Sequence, residues 1–389
     1  MNARFKGRCE KQVPDLELLG GTMRAWCCKC KLNKNNSRSC SCSIPSIKIG
    51  GHKHRACQCL INQATTLMLF CFFLITFLSI PLLAGIGTES LQFLKIKPSA
   101  RVASIGDGYV GLADDSNASF YNPAGLAKLT TPEISLMHLA YIGETSYEYA
   151  SGVIPAGKNM TLGAYVIYLN YGSITKTTED NTGVYSGTAG AFTPNNIAGG
   201  LSIGYKLGES LNVGAGLKYA SEDIDGSSVS GIMGDVGVLY RIEGVGIGAS
   251  LSNIEGNVGT DVSPMLARLG LSAKLSIMSD DDLTVALGGS YILASSKTVE
   301  SIGAEYCYDN FVSVRGSYGI GYDVNNVNVG AGVKQNLDRM ICSLDYNFSL
   351  FGDLGSAHRV SLSVKFGEET KQSKGSKRSK SSRNSKYRR

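Results

Sequence analysis

Residues 195–219 read NNIAGGLSIGYKLGESLNVGAGLKY, two alternating runs separated by a Leu-Gly-Glu-Ser break. In the first, Ile197, Gly199, Leu201, Ile203 and Tyr205 occupy every second position; in the second, Leu211, Val213, Ala215, Leu217 and Tyr219 do the same. Ser202, Gly204, Asn212, Gly214 and Gly216 fall between them. A period of two sends alternate side chains to opposite faces of a strand, so each run has one face that must be dry and one that tolerates water.

The rhythm extends in both directions. Upstream it runs through Leu162, Ala164, Val166 and Tyr168. Downstream it passes through Val245–Leu251, Ala267–Leu275, Leu283–Tyr291, Val312–Tyr318, Val327–Val333, Met340–Phe348 and Val360–Phe366. Turn residues punctuate it at Asn253–Gly256, Ser279–Asp282 and Asp323–Asn326, and the Gly-, Thr- and Ser-rich stretch 181–195 reads as a longer loop at one rim. From Glu133 to Phe366 the pattern predicts about fourteen strands at about seventeen residues each with its turn. A soluble sandwich would show the same alternation. Several apolar faces, however, carry an aromatic suited to a headgroup boundary: Tyr205, Tyr219, Tyr240, Tyr291, Tyr308, Tyr346 and Phe366. The opposite faces are small and polar, as a lumen requires. A sheet in lipid must close, because an open edge leaves backbone groups unpaired. The expected fold is therefore all-β: a transmembrane antiparallel barrel of about fourteen strands spanning residues 131–367.

Composition agrees. The chain has 47 Gly and 19 Tyr but 9 Pro among its 389 residues, which suits many short strands and tight turns. The formal charge of +6 misleads, because residues 1–64 hold 12 Lys and Arg against 3 acids, and residues 368–389 hold 9 against 2. The remainder is acidic, near −10 once both ends are subtracted, so the basic balance gives no footprint for nucleic acid. Eight of the eleven cysteines precede residue 60, and only Cys307 and Cys342 follow the apolar stretch, so no disulfide framework is implied.

That stretch, LMLFCFFLITFLSIPLLA from Leu67 to Ala84, follows Lys53 and Arg55 and precedes Gly85 and Gly87. Its order is that of a secretory signal over residues 65–86, with cleavage expected around Ala84 or Gly87. An uncleaved helix is the alternative, since about 18 apolar residues just span a bilayer. Residues 1–64 read as an atypical basic leader or an over-extended start. The pairs Cys28/Cys30, Cys40/Cys42 and Cys57/Cys59 beside His52 and His54 match no regular zinc spacing. Residues 368–389 are disordered by composition. No metal or cofactor is expected, and Asp280–Asp282 lacks the oxygen pattern of a calcium loop.

Between the apolar stretch and the first strand lies a segment without strand rhythm, LQFLKIKPSARVASIGDGYVGLADDSNASFYNPAGLAKL, residues 91–129. After Gly87-Thr88 it carries Phe93–Ile96, Ala100-Arg101, Ile105–Gly108, Leu112–Asp115 and Asn122-Pro123-Ala124-Gly125-Leu126 in that order. With the closing His358–Gly367, these pieces resemble the PorV/PorQ group of outer-membrane proteins and, more distantly, FadL-type fatty-acid transporters. The resemblance implies that residues 87–130 form a hatch folded into a fourteen-stranded barrel in a bacterial outer membrane. Asn122, Pro123, Ala124 and Gly125 then form a rigid hatch turn or contact a ligand. Arg101, Asp107, Asp114 and Asp115 either pair inside the lumen as a latch or are acids of surface loops.

The implied function is handling of hydrophobic molecules, with outer-membrane lipid around the barrel. The alternative is a PorV-like component of a secretion and surface-attachment system whose partners are secreted proteins. Two features depart from the group: the long cysteine-rich leader, and the tail that follows Phe366. An enzyme is not expected: beyond the apolar stretch the histidines are His138 and His358, and no nucleotide fingerprint stands in strand-helix context.

Overall fold

The computed structural model describes residues 29–32, 38–41, 89–254, 262–277, 280–324 and 326–367. The leader's remaining residues, the apolar stretch and the basic tail lie outside the described residues. Two compact units are present. In the first, strands β1 (Lys29–Leu32) and β2 (Arg38–Ser41) form an antiparallel pair that sets Cys30 opposite Cys40 in register.

The second unit is a closed barrel. Its wall begins with β3 (Glu133–Ala140), β4 (Ser146–Pro155), β5 (Met160–Asn170), β8 (Asn195–Lys206), β9 (Leu211–Ile224), β10 (Ser227–Ile242) and β11 (Val245–Ile254). It continues through β12 (Leu266–Ser276), β13 (Asp282–Ile292), β14 (Lys297–Tyr308), β15 (Val312–Ile320), β16 (Val327–Leu337), β17 (Met340–Leu350) and β18 (Ser356–Phe366). Neighbours pair antiparallel throughout, and β18 returns to β3 with Lys365 opposite Glu133, so all fourteen strands are paired on both sides. Among the described residues, the inserted strands β6 (Ile174–Glu179) and β7 (Tyr185–Phe192) pair only with each other.

The alternation has the cause expected. Along β5 buried and exposed positions alternate strictly, and the residues facing out are Leu162, Ala164, Val166 and Tyr168. Leu201 is 70% exposed and Leu217 64%, while Ser202 and Asn212 between those runs are buried. The outer surface is thus apolar and the polar side chains point inward, the reverse of a soluble protein. Tyr205, Tyr219, Tyr240, Tyr308, Tyr346 and Phe366 are exposed on that wall, and Tyr291 is half-buried. Among the described residues no helix is long and apolar enough to cross a membrane; strands make the crossing.

The two rims differ. At one rim tight turns join the strands; Glu243 and Gly244, at φ +45° and +90°, form a two-residue hairpin turn whose twist matches the flanking strands. The other rim carries the segment 171–194. The expected loop at 181–195 is corrected here: Tyr185–Phe192 is strand, and Asn195 already belongs to β8. Both faces of the β6–β7 hairpin are largely exposed, so nothing selects for an apolar face and the period-two signal is missing. Between β15 and β16, Gly319 N donates to the Asn326 carbonyl at 2.7 Å.

Candidate functional site

The lumen is occupied by residues 91–129. The segment enters at the long-loop rim, where Glu89 bridges Val262 and Leu91 N donates to Glu222 Oε2 at 3.1 Å. It then runs through short helices at Ala100–Ile105, Tyr109–Leu112 and Ala118–Tyr121, and a 3-10 turn at Pro123–Lys128, before starting β3 at the opposite rim. None of these pieces is long enough to persist alone; they are held by caps and by the wall. Ser99 caps the first helix by accepting from Val102 N.

Asn122 holds the motif turn. Its Oδ1 accepts from Ala124 N at 3.2 Å, capping the 3-10 turn that Pro123 begins, while Nδ2 donates to the carbonyls of Val110 (3.0 Å) and Val238 (3.2 Å). One side chain therefore ties the turn to the Tyr109–Leu112 helix and to β10. A Cβ on Gly125 would collide with the Ala113 carbonyl, so two hatch segments touch there backbone to backbone. The wall is shaped to match. Cβ atoms at Gly214, Gly248 and Gly303 would collide with the backbones of Pro123, Val110 and Ile105. These inward glycines let hatch and wall meet without an intervening side-chain layer.

Arg101 is the centre of a charge cluster. Its guanidinium donates to Asp114 Oδ1 (2.6 Å), Asp115 Oδ2 (2.8 Å) and both oxygens of Glu305 on β14. Glu305 also accepts from Arg315 Nε on β15, and Arg315 Nη1 reaches Asp345 Oδ1 on β17 at 2.6 Å. Asp115 accepts further from Tyr109 and Asn117. Burial alone would raise the Asp114 carboxyl, yet the Arg101 charge holds it below its ordinary value. Asp107 does not join this cluster. It pairs with Lys97 at 3.3 Å and accepts from Tyr322 in the loop after β15; burial opposes its ionisation, and these partners nonetheless keep its carboxyl below the usual range.

Sequence reasoning missed the wall's half of this network. Glu305, Arg315 and Asp345 were available as charges at inward parity within strands, as were Lys218 and Asp235. Lys218 and Asp235 pair at 2.8 Å, their side chains 1% and 2% exposed, with Asn253 Oδ1 accepting from Lys218 at 2.6 Å.

The inner wall is not polar all round. On β3, β4 and β5 the inward residues Met137, Leu139, Tyr147, Tyr149, Tyr165, Ile167 and Leu169 are buried and join the hatch's Phe120, Tyr121 and Tyr109 in one apolar core. Phe120 meets Tyr121 and Tyr165 edge-on, at centroid distances of 5.3 and 5.5 Å. Lys218 Nζ lies 5.4 Å from the Phe120 centroid, and Arg268 sits 5.4 Å over Tyr121. The hydroxyls of Tyr121, Tyr147 and Tyr165 are buried here without a hydrogen-bond partner.

His138 and His358 point away from the lumen. His138, 56% exposed at its side chain, lies with Nδ1 2.6 Å from Glu148 Oε1 on the outer wall, and His358 Nδ1 is 2.7 Å from the Tyr346 hydroxyl. Asp281 is engaged by Tyr306 and Asp309, and Asp282 by Lys274 and Ser276. Among the described residues no group of three potential ligands is placed to hold a metal ion.

The fold and lumen define a plugged, membrane-spanning β-barrel. Among solved structures the chain is similar to the toluene transporter TbuX of Ralstonia pickettii, at 14% identity over 65% of this chain and 94% of that one, TM-score 0.44. It is also similar to the toluene transporter TodX of Pseudomonas putida (13%, 64% and 92%, TM-score 0.48) and to a Pseudomonas aeruginosa FadL homologue (10%, 73% and 99%, TM-score 0.42). No family model and no curated protein matches the chain.

Proposed function

We propose that this protein sits in a bacterial outer membrane and passes hydrophobic small molecules through the barrel, past a hatch that shifts to admit them. One observation carries the proposal: the inward faces of β3–β5 are apolar and aromatic, from Met137 and Leu139 to Ile167 and Leu169. A barrel that conducts water and ions lines its lumen with polar groups. Here three of the fourteen wall strands present an oily inner layer packed against the hatch, and Phe120 and Tyr121 are the hatch residues that face it. The proposed role is transport.

The test is binding of a hydrophobic probe, a monoaromatic hydrocarbon or a long-chain fatty acid, to the purified full chain in non-ionic detergent. Saturable binding that Ile167→Glu abolishes is the expected result. Partition no greater than into empty micelles would overturn the proposal.

The finer resemblance to the PorV/PorQ group points instead to handling of secreted proteins. The β6–β7 hairpin supports that alternative, since Val184 and Tyr185 at its tip are exposed beyond the wall. Removing residues 172–193 separates the two: probe binding survives if the lumen is the working site, whereas retention of surface proteins fails if the hairpin is.

A further inference from the structure

At the short-turn rim, where the hatch leaves the lumen, a recess of about 640 Å³ is lined by Lys128, Lys158, Asn159, Lys206, Leu207, Gly208, Glu209 and Asn212. Three separate segments bring its cations together: the end of the hatch's 3-10 turn, the β4–β5 turn and the end of β8. Among the described residues, Lys128, Lys158 and Lys206 have no ion-pair partner, in contrast with the paired charges of the lumen. Asn212, 1% exposed, adds an amide nitrogen that is buried without an acceptor. Arg241 stands nearby on β10, its guanidinium donating to the Leu112 carbonyl. Glu209 is the one acidic group in the lining.

Unpaired donors and surplus positive charge converge here, and an anion would satisfy both. We propose that this recess is a binding site for an oxyanion, a phosphate or carboxylate group presented from the side of the short turns. The Lys128 and Lys206 ammonium groups close over it, with Asn212 in the lining beside them. The proposal is independent of whether the lumen passes hydrophobic molecules.

Lys128 reports on the site. Burial, with the like charges of Arg241 and Lys206, pushes its ammonium down to about 8. A group in that position is about half-charged near pH 8, and a bound anion must pull its titration back up. Lys158 and Glu209 face the same space, of opposite sign, so they largely offset one another.

The experiment follows Lys128 by carbon NMR of the reductively dimethylated full chain in phosphatidylcholine nanodiscs, its signal assigned by Lys128→Arg. Added inorganic phosphate, at ionic strength matched with chloride, should raise the titration midpoint by half a pH unit or more. Lys206→Gln should weaken phosphate binding about three- to fivefold. Lys206→Gln should also raise the ligand-free midpoint; heat-modifiable migration shows that each variant is folded. A rise with phosphatidylglycerol nanodiscs but not with free phosphate identifies a lipid headgroup as the source of the oxyanion. No rise with either, or an equal rise with chloride, overturns the site.

Discussion

Arg101 of the hatch grips Glu305 of the wall with two parallel hydrogen bonds, Nε to Oε2 and Nη2 to Oε1, each 3.0 Å long. This fork-to-fork contact fixes orientation as well as distance. It also joins a segment with no strand of its own to a closed sheet, across 204 residues of sequence. Removing Arg101 strands Asp114, Asp115 and Glu305 together in a mostly buried space. Because Asp114 remains a third exposed, Arg101→Met should cost about 2–3 kcal/mol, less than a fully buried pair would. Amide exchange in residues 98–118 should quicken while the barrel amides stay protected. Arg101→Lys should not restore protection, since an ammonium cannot make the paired contact. Unchanged hatch exchange in both variants would remove the latch role.

The inward glycines predict a different failure. At Gly303 a Cβ meets the Ile105 backbone, which cannot step aside as a side chain would. Gly303→Val should therefore expel the hatch or block assembly, read as raised conductance in planar bilayers or loss of the heat-modifiable band. Gly316→Val is the control. The nearest atom to its Cβ is the Asn328 carbonyl at 3.7 Å, and folding should be unaffected. Equal behaviour of the two variants would show that hatch and wall are not in backbone contact.

The barrel was legible because lipid and lumen impose a period of two on every wall strand. The runs at 197–205 and 211–219 became β8 and β9 with their faces as expected. The β6–β7 hairpin was not legible, because water on both sides imposes no pattern. Arg101, Asp114 and Asp115 were found by type and order, but their wall partners lie hundreds of residues away, and only closure brings them close. The apolar interior of β3–β5 was hidden for another reason. Tyr165, Ile167 and Leu169 alternate with Ala164, Val166 and Tyr168, so both faces of β5 are apolar and the sequence marks neither as inner.

That interior offers a test of ligand chemistry. The Tyr165 hydroxyl is buried and unpaired, so Tyr165→Phe deletes an unsatisfied polar atom and should stabilise the protein by about 1 kcal/mol. Its effect on binding depends on the probe. A pure hydrocarbon should bind as before, whereas a probe whose acceptor reaches that hydroxyl should lose about fivefold, at about 1 kcal/mol for the lost bond. Tyr165→Ala should weaken both by emptying a wall position against Phe120. Full binding of every probe to Tyr165→Ala would place the ligand elsewhere.

The Arg101 cluster also sets a pH window for hatch docking. Asp114 has a folded-state proton affinity below its ordinary value of 3.8, because Arg101 outweighs the cost of burial. The unfolded or released hatch then binds more protons than the docked one. The stabilisation is fully present above about 3.8 and is lost as pH falls through the lower, folded value. Asp107, lowered by Lys97 and Tyr322 against its own burial, acts in the same direction. Single barrels in planar bilayers should thus stay closed from pH 8 down to about 4 and begin to open only below that. Arg101→Met should move the onset upward, since its carboxylates lose the charge that holds them ionised. Opening of the unaltered protein near pH 6 would contradict the assignment of these acids to the latch.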